Sequence, residues 1–116
     1  MKIRTKRNYD EIEEEDEFRV LADRLWPRGI KKADAQIDYW AKEISPTTAL
    51  RQSYHKEEIT YEEFSSRYRA ELEANLESLP FIDRLKTHDT VTLLTSRNPI
   101  ELSELPTLKA FIEKYK

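Results

Sequence analysis

The residues best able to do chemistry in this chain of 116 residues lie in two short stretches, Asp23-Arg24-Leu25-Trp26-Pro27-Arg28-Gly29 and Thr95-Ser96-Arg97-Asn98. Arginine presents a planar fork of N–H donors that matches a carboxylate or a phosphate. Arg24, Arg28 and Arg97 around one crevice therefore suit a small anion, with Ser96 as a further donor and Asp23 as an orienting carboxylate or base. The competing reading is internal. An ionised carboxylate at the heart of a sheet needs a partner, and Asp23 then pairs with Arg24 or Arg97. Trp26, Trp40 and Tyr68 can wall a pocket, although aromatics at regular spacing serve first as core.

Several other chemistries are excluded. With Gly29 as the only glycine, the chain lacks the glycine-rich turns that bring backbone amides up to a dinucleotide or a nucleoside triphosphate. It has no cysteine, hence no disulfide, thiol redox centre or cysteine zinc site. His55 and His88 stand on separate elements without a spaced ligand partner, so no metal site is expected and each reads as a surface or supporting histidine. Ser96 follows an apolar stretch but lacks the glycines of a nucleophile elbow; a loop or cap hydrogen bond is its plainer role. No cofactor is expected, and no catalytic residue is assigned.

The net charge of −3 hides a sorted start: Lys2, Arg4, Lys6 and Arg7 precede an acidic run over residues 10–17 that only Ile12 interrupts. A net acidic chain is a poor general binder of nucleic acid. No apolar run approaches the roughly 20 residues that span a bilayer, and the start lacks the apolar stretch of a signal peptide, so a cytoplasmic setting without membrane contact is expected. Mean hydropathy is −0.83, yet 38% of residues are hydrophobic and 10% aromatic, enough for one core and one domain over residues 1–116.

Both stretches need strands that end at them. Residues 2–9 alternate weakly and suit a strand; residues 10–17 read as a solvated loop. Residues 18–26 form an apolar run fit for a central strand, ended by a type I turn with Pro27 second and Gly29 fourth. Asp34 can cap a helix carrying Ile37, Trp40, Ala41 and Ile44, stopped at Ser45-Pro46. A shorter helix follows from Thr47 or Thr48 through Tyr54. Thr60 and Glu63 fit a capping box before Phe64, Tyr68, Leu72 and Leu76, on a long helix ending before Pro80. A short helix over residues 81–86, a strand over 91–95 and a last helix with Leu105, Leu108, Phe111, Ile112 and Tyr115 complete the chain, Pro106 being tolerated in the first turn. Strands separated by helices favour an α/β fold: a small, mainly parallel sheet of about three to four strands with flanking helices in two or three layers. Ligands of such sheets bind outside the carboxyl ends of the strands, so Asp23, Arg24, Arg28, Ser96 and Arg97 converge if the two strands are neighbours.

Several stretches resemble the YeaO-like family of bacterial proteins, also called domain of unknown function 488. They are Asp23-Arg24-Leu25-Trp26-Pro27-Arg28-Gly29, Trp40-Ala41-Lys42-Glu43-Ile44-Ser45-Pro46, Leu50-Arg51, and residues 64–72 with Arg67, Tyr68, Glu71 and Leu72 in place. Residues 91–97 look like the family's later strand. The resemblance implies a compact α/β fold in a bacterial cytoplasm and assigns no activity. It adds Lys42, Glu43, Arg51, His55, Arg67, Tyr68 and Glu71 as polar positions matching the pattern. This chain departs from it near the end. The family tends to carry an acidic residue after the later strand and a His-Asn pair opening the last helix. Here Asn98 and Pro99 follow Arg97, and residues 101–106 contain no histidine. The leading functional expectation is a small anionic ligand at Asp23, Arg24, Trp26, Arg28, Ser96 and Arg97, with Arg51, His55, Arg67 and Tyr68 joining from the resemblance. The alternatives are a protein-interaction module that uses the acidic run and exposed helix faces, and, less favoured, nucleic-acid binding.

Overall fold

The computed structural model describes Met1–Lys116, and its frame is a four-stranded, all-parallel sheet. Strands β1 (Lys2–Arg7), β2 (Phe18–Leu21), β3 (Tyr39–Trp40) and β4 (Thr90–Thr95) lie in the order β1-β4-β2-β3. The strands after which Asp23 and Ser96 follow are therefore direct neighbours, with Leu21 level with Leu94.

Strand alternation sorts the two faces of the sheet. Ile3, Val20, Val91 and Leu93 point into one core together with the helices. Helix α2 (Thr48–His55) starts where the Thr47 hydroxyl accepts from the Leu50 amide, and α3 (Tyr61–Ala74) where Thr60 accepts from Glu63. Phe64, Tyr68 and Leu72 of α3, Phe81, Ile82 and Leu85 of α4 (Ser78–Leu85), and Leu105, Leu108, Phe111 and Ile112 of α5 (Leu105–Tyr115) bury their stripes there.

The opposite face carries Leu21 and Leu94 but is otherwise polar, and it refines the solvated loop expected over residues 10–17: Asp10, Glu11, Glu13, Glu14, Glu15 and Glu17 are exposed, whereas Asp16 is buried. Arg4, Lys6, Arg19 and Thr92 stand on that face, and the acidic segment folds over them through a 3-10 turn at Glu14–Asp16. Asp16 is 0% exposed. Its carboxylate accepts from Lys6 Nζ at 3.1 Å, from Arg19 Nη1 at 2.5 Å and from the Glu13 amide at 3.1 Å, with Arg4 Nη1 3.2 Å away. The run supplies the counter-charge to a basic sheet face.

Four further boundaries differ from expectation. Strand β2 stops at Leu21, because the chain turns outward after Ala22 to lay residues 23–29 across the strand ends. The turn there is centred on Arg28-Gly29, one residue later than expected, with Gly29 at φ +77°, a conformation glycine adopts without strain. No helix runs from Asp34 to Ile44. A single helical turn, α1 (Lys32–Ala35), ends at Gln36 in the left-handed region, and Tyr39–Trp40 becomes a sheet edge. The Asp38 amide donates to Arg19 O and the Ala41 amide to Leu21 O, bonds that a helix would forgo. Finally, α3 ends at Ala74, since Asn75 leaves the helix to donate to Glu43 O; Leu76 is 92% exposed, and α4 begins at Ser78 with Pro80 in its first turn.

Candidate functional site

The carboxyl ends of β1, β4 and β2 bring together the groups that follow each strand. After β2, Asp23 turns to β4: its carboxylate accepts from Thr95 Oγ1 and from the Ser96 amide, each at 2.7 Å. Asp23 thus pairs with neither Arg24 nor Arg97, and in place of the salt bridge of the competing reading stands a tie between two loops. Arg24 donates through Nε to Pro46 O at 2.9 Å and through Nη2 to Ser45 O at 3.2 Å, fixing the loop that follows β3. Arg97 lies with its guanidinium 4.6 Å from the centre of the Tyr54 ring on α2, and Arg51 stands one turn earlier on that helix with its Nε buried and unpartnered.

After β1, Arg7 donates to Ser96 O and Arg97 O, and Asn8 Nδ2 donates to Ser96 Oγ at 2.9 Å. The 23–29 segment reaches the same side: Tyr9 OH donates to Arg28 O at 2.9 Å, leaving the Arg28 side chain exposed. Trp26 donates to Ile30 O and meets Trp40 edge-on at 5.2 Å, so it braces the turn. These segments carry five arginines, a rim in which Arg7 is tied to the Arg97 backbone, Arg28 is tied through its carbonyl to Tyr9, Arg51 stands on the helix of Tyr54, and Arg24 holds the loop at Ser45 and Pro46. None of the chain's ion pairs involves any of the five.

Three expected members stand apart. Arg67 is exposed on α3 and pairs with Glu63 at 2.9 Å, and His55 is exposed at the end of α2. Tyr68 is fully buried and donates to Ile44 O at 2.7 Å; burial first, then the nearby Glu104, pushes its phenol well above the usual range. It is a neutral strut. Arg24 and Tyr68 also line a cleft of about 270 Å³ with Glu43, Thr47, Glu71 and Asn75. Glu71 is spent on the Thr47 amide and hydroxyl, and two carboxylates make this cleft a poor seat for an anion.

Sequence reasoning missed Arg7, Asn8, Tyr54 and Glu104, and gave Thr95 no role beyond its place in the stretch with Ser96. The rule that ligands gather at strand ends, applied to β1 as well, points to Arg7 and Asn8. Glu104 carried one signal, an acidic residue directly before the apolar start of the last helix. It is 7% exposed, with Oε1 3.3 Å from Thr95 Oγ1. Burial, then the Asp23 charge and a hydrogen bond to it, raises its carboxyl well above the ordinary range.

Fold and site together define a small, all-parallel α/β domain with an arginine rim at its strand ends. The chain belongs to the DUF488 family: residues 2–115 match the family described as the inactive DUF488-N3 subclade. It is 53% identical over 72 residues to the uncharacterised protein YeaO of Escherichia coli, covering 62% of this chain and 63% of that protein. It is 35% identical over 107 residues to the uncharacterised proteins Mb3100c of Mycobacterium bovis and Rv3073c of Mycobacterium tuberculosis, covering 92% of this chain and 90% of each relative. No solved structure matches it. No helix is long and apolar enough to cross a membrane.

Proposed function

We propose that this chain binds a small anionic ligand on the arginine rim and does not turn it over. One observation carries the reading: Arg7, Arg28 and Arg97 at the strand ends, and Arg51 on the helix beside Arg97, have no carboxylate partner, while the acids there, Asp10, Asp23 and Glu104, are committed to the Arg7 amide, Thr95 and Ser96. Guanidinium groups whose charge no carboxylate balances favour a carboxylate, sulfate or phosphate group. Two features speak for binding without catalysis. Ser96 Oγ meets only Asn8, with no base beside it, and the matching family is described as inactive.

The test is a thermal-shift titration with sulfate, inorganic phosphate and citrate at constant ionic strength, on the wild type, Arg97→Gln and Arg28→Ala. A ligand that binds only the folded state raises its stability by about 2.7 kcal/mol at a hundredfold excess over Kd. A shift in the wild type that shrinks in both variants supports the rim. Equal shifts in all three proteins, or none in any, overturn it.

A further inference from the structure

We infer that Glu104 and Asp23 share one proton, and that this proton latches the Ser96-Arg97 turn on which the arginine rim stands. The Thr95 hydroxyl has a single hydrogen to give. Thr95 Oγ1 stands 2.7 Å from Asp23 Oδ1 and 3.3 Å from Glu104 Oε1, and it already accepts from the Arg97 amide at 3.2 Å. Its hydrogen goes to the nearer carboxylate, Asp23. Glu104 Oε1 then faces only lone pairs on Thr95, an arrangement that becomes a bond when Glu104 brings the hydrogen itself.

The surroundings agree. Asp23 approaches Glu104 from the loop after β2, Thr95 from β4, and Tyr61 and Tyr68 from α3. Both phenols are raised by burial and stay neutral, so they lend no positive charge. The arginines that follow β2 and β4 are engaged elsewhere: Arg24 with the Ser45 and Pro46 carbonyls, Arg97 over Tyr54. Against a second negative charge beside Asp23 stand only Glu104's own amide and a Thr95 hydroxyl whose hydrogen is already given to Asp23, so the two carboxyls, on either side of that hydroxyl, hold one proton between them.

The latch extends to the rim because the other oxygen of Asp23 accepts the Ser96 amide. When Glu104 loses its proton, repulsion drives Asp23 from this position, releases Ser96 and loosens Arg97. The extra charge also repels an anion. Ligand affinity consequently falls as pH rises through the Glu104 titration. This last step rests on the anion reading above; the shared proton does not.

The experiment is carboxyl carbon-13 NMR on the full chain from about pH 5 to about pH 9, the range in which buried glutamates titrate. Ser96 amide exchange and a sulfate titration accompany it, sulfate keeping its charge throughout. The Glu104 carboxyl should titrate above the exposed glutamates, with Ser96 protection and sulfate affinity lost in the same step. Glu104→Gln, which mimics the protonated acid, should keep Ser96 protected across the range. Asp23→Asn should bring the Glu104 titration down, a readout independent of how the glutamine variant folds. Titration of Glu104 with the exposed glutamates, or the same pH dependence of Ser96 in Glu104→Gln as in the wild type, overturns the latch. High Glu104 titration coupled to Ser96, with no sulfate bound at any pH, confirms the latch and refutes the anion reading.

Discussion

Asp16 and Glu104 are both carboxyl groups withdrawn from water, at 0% and 7% exposure, and their surroundings drive them in opposite directions. Burial pushes Asp16 upward, but the Glu13 amide, Lys6 and Arg19 outweigh it, and the carboxyl is held below its usual range. Burial pushes Glu104 upward too, and there the neighbour is another acid, so the push is reinforced. Loss of water is common to both; the count of donors decides the charge. One face of the sheet is held by complementary charge, and the strand ends by a withheld one. The signs follow. Asp16 contributes stability that is present above the ordinary aspartate range and lost as pH falls through its lowered value. Glu104 contributes stability that is present below the ordinary glutamate range and lost as pH rises through its raised value.

The contrast is broken most severely by Asp16→Ala, which strands Lys6 and Arg19 against the sheet. Removing one partner of a buried ion network costs about 3 kcal/mol, to be read from urea unfolding at neutral pH. A loss no greater than that of an exposed charge would show the face to be wet and erase the distinction. Thr95→Val strikes the other region, leaving Asp23 and Glu104 without the hydroxyl between them. The expected loss is about 2 kcal/mol, by the same measurement, and a neutral result would mean that the hydroxyl does not bridge them. The smallest effect sharpens the comparison from outside. Arg67→Ala removes an exposed pair with Glu63 and should cost about 0.3 kcal/mol. A loss approaching that of Asp16→Ala would assign the energy to charge pairing in general rather than to burial.

What could be read from the sequence was mostly local. The Thr47 and Thr60 caps and the buried stripes of α3 and α5 lie within a few residues of their partners, and β1, the start of β2 and β4 declared themselves through short apolar or alternating runs. The misread segment, Ile37 to Ile44, shows why spacing misleads. It records that one side of a chain is apolar, and a strand edge bending into a 3-10 turn satisfies that as well as a helix does. The choice was made by Arg19 O and Leu21 O, far away in sequence. Asp16 was indistinguishable from its acidic neighbours until β1 and β2 placed Lys6 and Arg19 over one spot. The same holds for the site. Asp23, Arg24, Arg28, Ser96 and Arg97 were legible as strand-end residues, but the tie from Asp23 to Ser96 spans 73 positions, and Glu104 enters only through the packing of α5 against it.

The strand order β1-β4-β2-β3 has a temporal side. Strands β1 and β2 share no hydrogen bonds; β4, the last strand in the chain, is inserted between them and pairs with both. Until residues 90–95 have been synthesised, the only strand pairing the chain can make is the two-residue β2–β3 contact. The loop-closure entropy is then met in one late step, the pattern of a domain dominated by distant contacts and slow to fold. A growing chain of this protein therefore cannot join β1 to the rest of its sheet until residues 90–95 have emerged to stand between β1 and β2.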